Sequence, residues 1–278
     1  MKNVRAFAPA NISLIFKVVP HKDPAKMGSL GIGFTVNKGV IVTVKKSKKT
    51  EVFFNKKSIN LPTVLSVVKA LTNEPLHISI ESPLPLGSGF GISGASALAS
   101  ALAINKLFNL HGTRLELAKI AHTAEVENKT GLGDIVNQYY GGFFVKFYSS
   151  SSFIVQSVPI VDIPVYCISY GKLLTSSVLQ NSDNLKNING KASTALRSMK
   201  KLLRKSSIQF GEILSIARIF ARESGLLTSK SVQTLIETIE KRDGHASMIM
   251  LGEGVVSDIP FEGALKLKVS ESACCTVD

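Results

Sequence analysis

The segment Pro83-Leu84-Pro85-Leu86-Gly87-Ser88-Gly89-Phe90-Gly91-Ile92-Ser93-Gly94-Ala95 places four glycines and two serines directly ahead of a strongly helical pattern. Glycines leave backbone N–H groups uncovered, so consecutive amides can close around phosphate oxygens while the dipole of the following helix adds positive potential. A strand-to-helix turn needs only one or two glycines, so the density of this loop predicts an anion site. No lysine lies between Gly87 and Ala103, which excludes a Walker A loop. Gly89, Gly91 and Gly94 have the spacing of a dinucleotide-binding turn, but the context fails. Two prolines separate the loop from the preceding strand, and the helix after it leads to a second helix rather than to a strand ending in an acidic residue.

The elements that must hold this loop follow from the apolar pattern. Val4 to Phe54 is rich in β-branched and aromatic residues, is broken by a proline- and glycine-containing stretch from Pro20 to Gly33, and reads as four or five strands. Leu61, Val64, Leu65, Val68 and Leu71 recur at helical spacing, and His77 to Ser82 alternates as a strand. Ala95 to Leu110 and Arg114 to Glu127 read as a helix pair, followed by a glycine turn at Gly131 to Gly133. Strands are then expected at Phe143–Phe147, Phe153–Val158 and Val161–Ser169, with Ser149 to Ser152 as a candidate hinge. Three amphipathic helices between Lys191 and Lys241 and strands at Ala246–Leu251 and Ala264–Val269 complete the chain. Strands with a helix pair, then helices with closing strands, predict an α+β fold in two domains, residues 1–155 and 156–278.

With 278 residues, 45% hydrophobic and 19% charged, the chain is neither a disulfide-held miniprotein nor a disordered one. Of its net charge of +13, a stretch from Lys45 to Lys57 supplies 5 and a stretch from Lys186 to Lys205 supplies 7, so the remainder is close to neutral. In the second stretch Ala192, Ala195, Leu196, Met199, Leu202 and Leu203 recur at helical spacing, which puts the basic residues on a solvated opposite face. A polyanion surface is the alternative, without the interleaved aromatics that stack on bases. Cys167, Cys274 and Cys275 have no metal-ligand spacing and suit a reducing cytoplasm. Pro9, Asn11 and Ser13 interrupt the apolar N-terminus, against an export signal. The most apolar run, Ala95 to Ile104, falls far short of the roughly 20 residues that span a bilayer.

Pro85, Gly89, Gly91, Ser93 and Ala95 match the second motif of the GHMP kinases, with Phe90, Ile92 and Gly94 in place of its usual leucine, serine and alanine. Ala8-Pro9-Ala10-Asn11-Ile12-Ser13 resembles the first motif and Ala246 to Val256, with Gly252 and Gly254, the third. Within that superfamily Gly28 to Gly33, Ala124 to Asn128, Thr130 to Asp134 and Gly171-Lys172 with Thr175 are most similar to the archaeal branch that phosphorylates pantoate on the route to coenzyme A. The resemblance covers nearly the whole chain. It implies an N-terminal domain like a small-subunit ribosomal protein, a ferredoxin-like C-terminal domain, and transfer from ATP with Mg²⁺ to the hydroxyl of a small molecule.

Carried onto this sequence, the resemblance makes Pro85, Gly87, Ser88, Gly89, Gly91, Ser93, Gly94 and Ala95 the nucleotide loop and Ser93 and Glu125 metal ligands, with Glu127 the competing register. Asp134, leaving the glycine turn at the end of a helix, becomes the candidate base, with a turn or cap role as its alternative. Ser29, Gly31 and Thr175 match acceptor contacts. His122 and Lys146 stand where arginines are expected to meet a carboxylate, and Asn11 where histidine is expected. Pantoate is therefore the expected acceptor, with homoserine or a mevalonate-type alcohol as alternatives and a non-catalytic nucleic-acid-binding protein as the alternative from another class. The expected partners are otherwise few: no nucleic acid, no membrane, and a second copy in a homodimer.

Overall fold

The structure is a computed structural model that describes residues 3–172 and 182–277. Two strands of unusual length open it, β1 (Val4–Val19) and β2 (Gly28–Lys46), paired antiparallel along their length. Their alternating apolar residues, from Ala6 to Val18 and from Ile32 to Val44, are buried. Register shifts bracket Asn11 and Ser13 on β1, and such bulges re-aim side chains. β3 (Glu51–Phe54), β4 (Lys57–Ser58) and β5 (Leu76–Glu81) extend the sheet on one side, with α1 (Pro62–Leu71) between β4 and β5.

α2 (Ile92–Phe108) lies across β1 and β2 between α1 and α3 (Arg114–Glu127). It is buried from Gly94 to Ile104 on every side, which its alanines, glycine and serines permit by letting neighbours approach closely. α3 begins with a reciprocal cap: Glu116 N donates to Thr113 Oγ1 at 3.2 Å and Thr113 N donates to Glu116 Oε2 at 2.7 Å. α4 (Asp134–Tyr140) then leads into β6 (Phe143–Lys146), a short 3₁₀ turn (Ser150–Ser152) and β7 (Gln156–Ser157).

A second, antiparallel sheet holds β8 (Pro164–Lys172), β9 (Ala246–Met248), β10 (Gly252–Ser257) and β11 (Leu265–Lys268), in the order β11-β8-β10-β9. Its helices are α5 (Ser182–Leu202), α6 (Phe210–Glu223) and α7 (Lys230–Glu240). The chain finally returns to the first sheet, where β12 (Cys275–Val277) pairs with β1. That sheet reads β12-β1-β2-β5-β3-β4, with β6 on β2 and β7 on β6. Phe210 on α6 joins the two halves, 5.7 Å from the Phe34 ring and 6.1 Å from the Phe143 ring. Asn189 does the same by mimicking a strand, accepting from Val18 N at 2.8 Å and donating to Val18 O at 3.1 Å.

The α+β class and most elements agree with the sequence, and four local features do not. α4 was unexpected because seven residues show too little period to declare a helix. The strand expected at Phe153–Val158 shrinks to Gln156–Ser157. Ser149 to Ser152, expected as a polar run and candidate hinge, folds into a 3₁₀ turn (Ser150–Ser152) with Ser150 fully buried. Gly252 and Gly254, outside the strands expected at Ala246–Leu251 and Ala264–Val269, belong to β10; a Cβ on Gly254 would stand 2.5 Å from Ile168 O on β8. On α5 the apolar positions from Ala192 to Leu202 are buried and Arg197, Lys200 and Lys201 are exposed, as is Arg204 just beyond it. No described helix is long and apolar enough to cross a membrane.

Candidate active site

One cleft is walled by the glycine loop before α2, by β1 at Ser13, Ile15 and Phe16, by the turn from Thr130 to Asp134, and by Met250 and Leu251 of the second half. The loop runs through left-handed backbone at Gly87, Gly89 and Gly91, a region in which side chains are strained. A Cβ on Gly89 would lie 2.6 Å from Ile249 Cγ2, so this glycine also lets the second half close on the loop. Gly91 is the N-cap of α2, and Ser93 lies within its first turn rather than at the cap. The amides of a 17-residue helix therefore open at the cleft.

Glu125 projects from α3 beneath that helix start and is 1% exposed. Burial, and next the charge of Asp134, push its carboxyl well above the usual range. Thr130 Oγ1 donates to Oε1 at 3.4 Å, and Oε2 is buried without a hydrogen-bond partner. Two glycines make room for it: a Cβ on Gly131 would stand 2.5 Å from Oε2 and one on Gly94 2.9 Å. Ser93 Oγ reaches the same carboxylate through hydroxyls, donating to Thr63 Oγ1 at 3.3 Å, which meets Thr130 Oγ1 at 3.0 Å. Glu127, two residues on, is exposed. A buried carboxylate oxygen lacking a partner beside a row of hydroxyls is the donor set of a hard cation.

Asp134 leaves the glycine turn that follows α3, as the sequence suggested, and is the first residue of α4. Its Oδ1 accepts from Asn11 Nδ2 at 2.7 Å and from Ser13 Oγ at 3.0 Å. Burial raises its pKa, opposed by the charge of Lys146 and by these two hydrogen bonds. Lys146, at the end of β6, donates to Gly133 O at 3.2 Å and Asn137 Oδ1 at 3.1 Å. Burial lowers its pKa to about 8, and the charge of Asp134 works against that fall. A carboxyl whose pKa burial raises and a buried ammonium thus share one wall of the cleft with Ser29.

The structure brings Gly87, Gly89, Gly91, Ser93, Glu125, Asp134, Ser29 and Lys146 to this cleft. Pro85 is exposed on the approach to it, Ser88 is buried, and Gly94 and Ala95 lie inside α2. His122 does not line the cleft: it is buried, and its Nε2 donates to Met27 O at 2.9 Å, with burial lowering its pKa. Gly31 is a close-approach residue, since a Cβ there would lie 2.1 Å from Ile15 O. Thr175 lies outside the described residues. Four contributors were not singled out from the sequence. Ser13 and Thr130 sit inside quoted motifs, whereas Thr63 on α1 and Asn137, one turn along α4 from Asp134, carry no local signal.

Residues 61–142, which contain the loop, Glu125 and Asp134, match the GHMP kinases N-terminal domain family. A pantoate kinase of Methanospirillum hungatei is 34% identical over 92% of this chain and 87% of its own length. The chain belongs to the GHMP kinases. Further relatives of this GHMP kinase include a pantoate kinase of Methanocaldococcus jannaschii, 32% identical over 88% of this chain and 89% of its own. A solved structure described as a phosphotransferase related to the CoA biosynthesis pathway superposes with a TM-score of 0.85 at 26% identity, covering 99% of both chains. As a GHMP kinase the protein is a phosphotransferase with an alcohol group as acceptor.

Proposed function

We propose that the protein transfers the γ-phosphoryl group of ATP to the primary hydroxyl of pantoate, giving 4-phosphopantoate for coenzyme A synthesis. The observation that carries this reading is the buried ammonium of Lys146 on the same wall as the Asp134 carboxylate, two groups matched to the two ends of a short hydroxy acid. Asp134 Oδ2 takes no hydrogen bond from the described residues, both donors landing on Oδ1, and is the oxygen that receives the acceptor's proton. A bond forms between the acceptor oxygen and the γ-phosphorus, and the bond from phosphorus to the ADP oxygen breaks. The names of the relatives, pantoate kinase, support the same acceptor.

Mg²⁺ fits the residues present, because Glu125 Oε2 is a buried oxygen in want of a partner and Ser93 supplies a hydroxyl on the same row. Glu125 and Ser93 would hold it, and it would offset phosphate charge. The amides at the start of α2 would face the phosphates. We also assign a cytoplasmic, archaeal setting, a homodimer and no nucleic-acid role, with the basic face of α5 serving solvation; Lys191 and Lys205 pair with Glu223 and Glu212 at 3.2 and 2.6 Å. The first domain is proposed to comprise residues 1–155 and the second 156–278, with β12 reaching back.

ADP release from ATP and Mg²⁺ with pantoate, pantothenate, homoserine and mevalonate as separate acceptors tests the reading. Turnover with pantoate alone is expected. Turnover with homoserine or mevalonate instead would keep the kinase and change the acceptor, and none with any acceptor, alongside salt-sensitive oligonucleotide binding, would overturn it.

A further inference from the structure

Asp134 and Lys146 are opposite charges on one wall of the cleft, yet no ion pair joins them among the described residues. Two amides stand between. Lys146 Nζ donates to Asn137 Oδ1 at 3.1 Å, Asn137 Nδ2 donates to Asn11 Oδ1 at 2.8 Å, and Asn11 Nδ2 donates to Asp134 Oδ1 at 2.7 Å. The direction of this chain is fixed from both ends. A carboxylate requires the NH₂ of Asn11 and an ammonium requires the oxygen of Asn137, so reversing either amide would face donor to donor or oxygen to oxygen.

The surroundings are shaped around the same chain. Asn11 and Asn137 are both fully buried. The two register shifts of β1 flank Asn11. On β2, Gly33 has no room for a side chain, since a Cβ would stand 2.8 Å from Asn137 Nδ2.

Without these amides, a lysine whose ammonium is buried would close on the nearest carboxylate, because the pair would then satisfy itself in the low-dielectric wall. Asp134 would lose the oxygen that takes the acceptor's proton, and Lys146 the N–H left over from its two protein bonds. We propose that Asn137, acting through Asn11, is a positioning residue that holds Asp134 and Lys146 apart, keeping one for the acceptor's hydroxyl and the other for its carboxylate. This rests on the acceptor assignment made above.

The test is a cycle of Asn137→Leu, Lys146→Met and the double variant, each folded by circular dichroism, with kcat and the KM values of ATP and pantoate measured separately. Asn137→Leu is expected to lower kcat/KM for pantoate about 100-fold, the cost of misplacing a reacting group, with the KM of ATP unchanged. Removing the lysine then removes what had captured Asp134, so the double variant recovers kcat at saturating pantoate while its pantoate KM equals that of Lys146→Met. A merely structural asparagine cannot produce that recovery. Losses that multiply in the double variant, or an Asn137→Leu protein with unchanged kcat/KM, would overturn the proposal. Lys146→Met with an unchanged pantoate KM would instead remove the acceptor assignment, and the proposal with it. Asn137→Ala, which adds no bulk, carries the same cycle where the leucine variant does not fold.

Discussion

Gly131 and Glu125 are a matched pair: the carboxylate Oε2 occupies the volume of the side chain that Gly131 lacks, 2.5 Å from where its Cβ would be. The glycine turn that delivers Asp134 into the cleft is thereby also the roof over the candidate metal ligand. Gly131→Ala must move one or the other. Displacing a ligand's support costs about 10- to 100-fold in metal affinity. The expected outcome is a rise of that size in the Mg²⁺ concentration giving half-maximal ADP release, with less change in the KM of pantoate. An equal rise in both would place Glu125 with the acceptor.

Asp134 keeps its two hydrogen-bond donors in the Asp134→Asn variant only on its oxygen, and the group can no longer take a proton. As a general base it contributes about 10²- to 10⁴-fold. The variant is expected to lose kcat in that range while binding ATP as the parent does, measured by calorimetry. A kcat within about tenfold of the parent would reduce Asp134 to orienting the alcohol.

The fold and the core of the site were legible because they rest on local signals: alternation in β1 and β2, the period of α3, glycines crowded before α2. Glu125 was separable from Glu127 only by resemblance, since both lie in one helix and the sequence does not say which face is buried; the structure leaves Glu127 exposed. What was not legible depends on tertiary approach. Asn137 is 126 positions from the Asn11 amide it bonds, and nothing near either residue announces the other. His122 shows the converse. Resemblance carries it to the acceptor, but as a lone histidine in a helix it is a satisfied structural residue, its buried ring giving Nε2–H to the Met27 carbonyl.

Lys146 sets a pH limit. Its folded pKa of about 8 lies below its ordinary 10.5, so above about pH 8 the ammonium in the free enzyme loses its proton. The kcat/KM for pantoate is expected to fall as pH rises through about 8, while the KM of ATP stays level. In Lys146→Arg the guanidinium remains charged and that fall should vanish. Stability runs the other way. Between about 8 and 10.5 the unfolded chain holds a proton that the folded chain has lost, so the lysine's contribution to stability increases with pH across that window. Denaturant midpoints of the parent against Lys146→Met at pH 7 and pH 10 check the sign, and a gap moving against the parent on going to pH 10 would show the ammonium is not depressed.

Ser150 ties the acceptor side of the cleft together from behind. Its buried hydroxyl donates to Leu132 O, in the turn carrying Asp134, and accepts from Ser29 N at 2.9 Å. Gly28 lies against it, where a Cβ would stand 2.4 Å from Ser150 Oγ. Ser150→Ala leaves a backbone N–H and a carbonyl unpaired in a dry place, at a cost of about 1–3 kcal/mol. Both of the loosened segments face the acceptor and neither holds the glycine loop. The variant should therefore melt at a lower temperature and show a raised KM for pantoate with the KM of ATP unchanged. Cysteine at this position, with a weak donor and weak acceptor on a larger atom, should recover little of either. Equal rises in both KM values would mean that the 3₁₀ turn supports the cleft as a whole rather than its acceptor wall.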